Sequence, residues 1–232
     1  MRIDKFLANL GLITRKDAKK IFKLGNIFIN GEAIFNESQK INFGDEISFF
    51  DEIFNYKENY FLILNKPIDF VSSRVSEGGY PSVYDVIFDY PYQNLIEIVG
   101  RLDVDTTGLL LFTNNGKIIH KLINPKKNIF KKYLVKISKN LSEKDIEKLE
   151  TGVIIDGNYR TKPAKVNILG EKKIELLIQE GKFHQIKKML LAVENEVLEL
   201  HRTQIGEIKI GDLEIGKYRE LSQEEINYLE NL

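Results

Sequence analysis

Between Tyr60 and Ile210 the sequence carries nine short apolar runs, and these limit the possible folds more than any other feature. They are Tyr60–Leu64, Ile96–Val99, Leu109–Thr113, Tyr133–Ile137, Val153–Ile155, Lys165–Ile168, Ile174–Ile178, Val197–Leu200 and Glu207–Ile210. Runs of this length, rich in Val, Ile, Leu and Tyr, have the dimensions of strands. Helical patterns fit Val83–Phe88, Lys117–Ile123, Ser142–Thr151 and His184–Val193. Ser222, with Glu225 three residues on, forms a capping box for a last helix. The pattern predicts a mixed α+β domain with a mostly antiparallel sheet.

The first fifty residues read differently. Asp4 can cap a short helix through Leu10, which Gly11 can end. Thr14 can cap a second helix running to about Leu24, before Gly25. On that helix Lys16, Lys19, Lys20 and Lys23 share one face, while Ala18, Ile21 and Phe22 can pack inward. Asn30-Gly31 between apolar runs is a type I′ hairpin signal, and Ile47–Phe50 is a further strand. The reading is therefore a small αα-β module over residues 1–50, a linker over 51–59 and a larger domain over 60–232. A chain of 232 residues suffices for one domain of about 170 residues with a small appendage. There is no internal repeat and no low-complexity tract.

Charge is neutral over the whole chain but not along it. From Arg2 to Lys23 there are seven basic and two acidic residues; from Glu220 onward there are four acids and no base. A basic front on a neutral chain fits local nucleic-acid contact. The absence of cysteine excludes disulfides, thiolate nucleophiles and thiolate metal sites. His120, His184 and His201 lack metal-ligand spacing, so no metal and no cofactor is expected. No apolar stretch is long enough for a membrane span, and the N-terminus lacks the apolar core of a signal peptide. The expected location is the cytoplasm.

Two segments concentrate the chemistry. Gly100-Arg101-Leu102-Asp103-Val104-Asp105-Thr106-Thr107-Gly108 is a polar loop between glycines, running into the apolar strand Leu109–Thr113. Loops mounted on a rigid sheet are where reactive groups sit. On residue chemistry alone, Asp103 and Asp105 can be an acid/base pair or plain turn residues. The second segment is Glu180-Gly181-Lys182-Phe183-His184-Gln185-Ile186-Lys187-Lys188-Met189. Cations at a helix start oppose its dipole, so this segment calls for a partner anion, either Asp103 or RNA.

Together these segments resemble the signature motifs of the RsuA/RluB/RluE/RluF family of ribosomal RNA pseudouridine synthases. Leu64-Asn65-Lys66-Pro67 is similar to that family's upstream motif, Lys131-Lys132-Tyr133-Leu134-Val135 to its tyrosine motif, and Leu200-His201-Arg202-Thr203-Gln204-Ile205-Gly206 to its closing segment. The order and spacing agree over essentially the whole chain. The first fifty residues resemble the S4 RNA-binding module that precedes the catalytic domain there, including the helix near Arg15 and the Asn30-Gly31 turn. One departure is Asp69, where the family usually has glycine two residues after Lys-Pro. Aspartate tolerates left-handed backbone, so the turn is expected to survive.

The resemblance implies roles. Asp103 would be the nucleophile, or would stabilise charge at C1′ of the target uridine. Lys187 would be the cation that keeps it ionised. Tyr133 would stack on the base and take the C5 proton. Asp105 would order the loop. Arg101 would fill the space left by the extruded base or hold phosphate, with a scaffold ion pair as the alternative. Ile186 would line the base pocket or belong to the core, and Lys66 would contact RNA or stand in solvent. Arg15, Lys16, Lys19, Lys20 and Lys23 would contact RNA through the S4-like module. His201 reads as structural.

The implied activity is isomerisation of uridine to pseudouridine in ribosomal RNA, with the small subunit favoured over the large. The partner would be ribosomal RNA or an assembling ribosomal particle, the protein acting as a monomer. The rival reading is a non-catalytic RNA-binding or ribosome-assembly factor, which would not need the Asp103, Tyr133 and Lys187 trio.

Overall fold

The computed structural model describes all 232 residues. They form two compact units, residues 1–60 with 87–97, and residues 61–86 with 98–232.

In the first unit, α1 (Ile3–Leu10) buries Ile3, Phe6, Leu7 and Leu10, the one-sided spacing of an amphipathic helix. It ends at Gly11, whose φ of 84° suits glycine. Asp4 lies in the first turn rather than at the cap, and Arg2 donates two hydrogen bonds to its carboxylate at 3.0 and 2.8 Å. α2 spans only Ala18–Phe22, shorter than the helix expected from Thr14 to Leu24. The Thr14 hydroxyl donates to the Asp17 carboxylate, and residues 15–17 form a turn ahead of the helix. The strands β1 (Ile27–Ile29), β2 (Glu32–Ala33), β3 (Glu46–Phe49) and β4 (Glu52–Asn55) make an antiparallel sheet in the order β2-β1-β3-β4. Asn30 and Gly31 have φ of 50° and 84°, the two positive values a type I′ turn requires.

The expected linker over 51–59 is not one. Residues 52–55 are the edge strand β4, and Tyr56 and Tyr60 are buried. Residues 87–97, expected in the larger domain, also belong to the first unit. The reason is an aromatic cluster. Tyr92 stacks on Tyr60 at 4.4 Å, meets Phe54 and Tyr90 edge-on, and accepts a hydrogen bond from the Asn55 amide at 2.7 Å. Contacts across more than thirty residues leave no periodic signal in the sequence.

The second unit is built on a long sheet. Its strands are β5 (Phe61–Lys66), β6 (Glu97–Val99, which begins on the last residue of the first unit), β7 (Thr107–Thr113), β8 (Lys131–Ile137), β11 (Lys165–Gly170), β12 (Lys173–Ile178), β13 (Val197–Ile205), β14 (Ile208–Lys209) and β15 (Tyr218–Glu220). A separate pair, β9 (Ile154–Ile155) and β10 (Tyr159–Arg160), completes the set. The main path runs β11-β12-β8-β13-β7-β5-β15. Every neighbouring pair along it is antiparallel except β13 with β7, which is parallel. β15 is too short and polar to have registered in the sequence.

Helices α3 (Val83–Val86), α4 (Gly116–Ile123), α5 (Glu143–Thr151), α6 (Gln185–Leu191) and α7 (Gln223–Glu230) complete the unit. Ile63, Leu109 and Leu111 of the sheet pack with Ile118 and Leu122 of α4 and Leu229 of α7 in one buried cluster. The Ser222–Glu225 capping box forms as expected, and Ser142 with Asp145 makes a second one. The parallel pairing sets Arg202 opposite Gly108, where a Cβ would come within 2.3 Å of the Arg202 carbonyl oxygen. Only glycine fits there, which fixes how the polar loop before β7 enters the sheet.

Candidate active site

The loop carrying Asp103 is held from below by main-chain contacts. Lys66, the last residue of β5, is 0% exposed, and its ammonium donates to the carbonyls of Pro67, Val104 and Thr106 at 2.9, 3.2 and 2.9 Å. Lys66 is therefore not an RNA contact, as one reading of the sequence had it, but an internal anchor of the loop. Burial pushes its ammonium down to about 8, while Asp105, Asp103 and Asp69 pull in the opposite direction. Ser72 adds a reciprocal pair, its hydroxyl donating to the Leu102 carbonyl at 2.8 Å and accepting from the Leu102 amide at 3.0 Å. Asp69 takes the left-handed conformation at φ 64°, and its amide donates to the Val104 carbonyl at 3.0 Å. The glycine-preferring turn thus survives with aspartate.

α6 supplies the opposing charge. Lys187 lies in the first turn of the helix, and its ammonium is 3.4 Å from the Asp103 carboxylate. It also donates to both oxygens of Asp105, at 2.6 and 2.8 Å. His184, at the helix start with φ 52°, brings Nε2 to 3.7 Å from Asp103. The anion that the basic helix start calls for is thus provided by the protein itself. Asp105 does more than order the loop, because it takes the two short hydrogen bonds and leaves Asp103 with the longer contact. Asp103 keeps only the longer contacts, to Lys187 at 3.4 Å and His184 at 3.7 Å.

Asp103, Lys187, Tyr133, Arg101 and Ile186 line one cleft of about 320 Å³. Tyr133 is 6% exposed on β8 and Ile186 is buried at the foot of α6, while Arg101 stands exposed at the rim. Arg15, Lys16, Lys19, Lys20 and Lys23 all lie in the first unit, exposed. His201 is structural: its Nδ1 is 2.8 Å from the Thr107 hydroxyl, and burial lowers its tendency to protonate.

Several cleft residues escaped the sequence reading. Glu180 is 1% exposed and accepts from the Tyr159 hydroxyl, the Lys162 amide and the Gln185 amide group at 2.6, 3.0 and 2.7 Å. It ties the end of β12 to the start of α6. Lys131 and Arg202 line the same cleft. Both lie in strand motifs already singled out, and alternation with Tyr133 and Leu200 along those strands was the available signal.

Residues 60–192 match the family described as RNA pseudouridylate synthase, and residues 1–47 match the S4 domain. The chain is 41% identical over 233 residues to ribosomal small subunit pseudouridine synthase A of Haemophilus influenzae, covering 99% of each. It is 39% identical over 235 residues to an uncharacterized RNA pseudouridine synthase of Bacillus subtilis, covering 99% of this chain and 98% of that one. A crystal structure of a pseudouridylate synthase at 40% identity superposes with a TM-score of 0.69 and covers 99% of both chains.

Proposed function

Because this chain belongs to the RNA pseudouridylate synthase family, we propose that it converts a uridine of small-subunit ribosomal RNA to pseudouridine, with Asp103 meeting the charge that develops at C1′. The observation that carries this reading is the convergence of Asp103, Lys187 and Tyr133 on one cleft, with the ammonium 3.4 Å from the carboxylate. A nucleophilic or charge-stabilising carboxylate acts in its charged form. Lys187, 3.4 Å away, stands as the counter-charge beside it.

The base leaves its stack before it can reach such a cleft, at a cost of a few kcal/mol. Breaking the C1′–N1 bond sends the electron pair with the uracil while Asp103 faces the electron-poor C1′. The base then turns and C5 bonds to C1′. The C5 proton is lost, with Tyr133 placed to take it, and N1 regains one. Nothing in this sequence requires a redox partner or a metal ion.

Ribosomal RNA, and its small subunit in particular, is supported by the full-length similarity to a small-subunit enzyme. The S4 match and the exposed basic segment from Arg15 to Lys23 support RNA capture through phosphates. Action as a monomer in the cytoplasm is part of the proposal, and sedimentation of the purified chain checks the first half of it. The decisive experiment maps pseudouridines across both ribosomal RNAs in cells with and without the gene. One small-subunit position lost with the gene is the expected result. A lost position in the large subunit would move the target, and an unchanged map with tight particle binding would favour an assembly factor.

A further inference from the structure

One buried donor in the cleft has no partner of its own. Arg202 on β13 is 2% exposed, and its Nε donates to the Leu109 carbonyl at 2.7 Å, which fixes the guanidinium in place. Its Nη2 is buried and unpartnered. In the ladder between β13 and β8, Arg202 lies directly opposite Tyr133, so the two side chains leave the same face of the sheet. On its other side stands Gly108, where only glycine fits against the Arg202 backbone. Both Arg202 and Tyr133 line the cleft that holds Asp103.

The surroundings leave this end of the cleft short of negative charge. Lys131, on the same face of β8 as Tyr133, is pushed down to about 8 by burial and then by the Arg202 charge. Glu180, the acid that offsets it, already accepts from Tyr159, Lys162 and Gln185. A buried unpaired donor costs about 1–3 kcal/mol, more when charged, and native proteins keep such groups where something else completes them.

The reaction supplies a matching acceptor. As C1′–N1 breaks, the departing pair spreads over N1 and the two carbonyl oxygens of the uracil. We propose that Nη2 of Arg202 donates to a carbonyl oxygen of the extruded uracil and stabilises the negative charge that builds there. When C5 bonds to C1′ that charge returns to the new bond, and the donor is left as it began. Asp103 and Arg202 thus serve the two ends of one bond: the carboxylate faces the electron-poor sugar carbon and the guanidinium faces the electron-rich base. This rests on the reading of Asp103 given above. A donor fixed before the charge appears is worth about 10²–10³ in rate.

The test uses the full chain and small-subunit particles assembled from unmodified ribosomal RNA. Arg202→Gln and Arg202→Lys are compared with the parent for melting temperature, particle affinity and single-turnover pseudouridine formation. We expect Arg202→Gln to be about 100-fold slower, with affinity within about threefold and Arg202→Lys in between. A rate within about threefold of the parent overturns the proposal. So does a rate loss matched by an equal loss of affinity, which would make Arg202 a phosphate contact. Should neither variant fold, a crystal structure of Asp103→Asn with the mapped target RNA decides: Nη2 bonded to a uracil carbonyl oxygen supports the proposal, and Nη2 bonded elsewhere overturns it. Asp103→Asn, assayed in parallel, tests the underlying reading separately, since activity in that variant would remove Asp103 whatever Arg202 does.

Discussion

The basic segment from Arg15 to Lys23 and the cleft around Asp103 use the same residue types in opposite ways. In the first, five cations stand in solvent, where each interacts with an anion through a screened, largely additive field. In the second, Lys66 is wholly buried against three carbonyls, and Lys187 is committed to two aspartates. Lysines of the first kind supply affinity that salt can erase. Lysines of the second kind set the position of other groups, so their loss is felt far beyond their own charge.

The largest expected effect is Asp103→Asn, which should slow pseudouridine formation by about 10⁴-fold or more while leaving particle binding nearly intact. Comparable losses of rate and binding would erase the division of labour between the two regions. Lys187→Met comes next, at about 10²–10³ in single-turnover rate. If that rate fell no further than tenfold, the ammonium beside Asp103 would have no part in the reaction.

Lys66→Met should destabilise the fold by about 3 kcal/mol, because three loop carbonyls lose their donor. It also carries a pH signature. The folded-state value of Lys66, about 8, lies below the ordinary 10.5, so between these values the unfolded chain holds a proton that the folded chain does not. Stability from this group therefore rises as pH climbs through that window and falls again as pH drops toward 8. Denaturant midpoints at pH 7 and pH 10 should show a rise in the parent that is smaller in Lys66→Met; equal differences would place the anchor elsewhere. The smallest effect is expected from neutralising Lys16, Lys19, Lys20 and Lys23 together. Affinity should weaken by about tenfold, and the slope of log affinity against log salt should flatten by about 3, at roughly 0.7 per lost phosphate contact. An unchanged slope in a binding titration would reduce this face to plain solvent exposure.

Much of the molecule was legible in the chain. The nine strand runs all appear as strands, the Asn30-Gly31 hairpin has its two positive φ values, and the Ser222 capping box closes. These are local effects, settled within a few residues. The second helix spans only Ala18–Phe22, yet Thr14 still caps its approach, with the Asp17 amide donating to its hydroxyl at 3.3 Å and the Ala18 amide to its carbonyl at 3.1 Å. Asp103, Tyr133 and Lys187 were found through their motifs, and the structure brings all three to one cleft.

The sequence by itself determined the kinds of element, their order and which charges were available. Tertiary structure alone decided that residues 52–55 and 87–97 join the first unit, that Lys66 turns inward, that Asp105 shares Lys187 with Asp103, and that Arg202 lies beside Tyr133. The physical reason is range. Helix, turn and strand preferences are fixed by neighbours a few residues away, whereas the burial of a charge depends on what closes over it, and here that arrives from 38 to 93 positions along the chain.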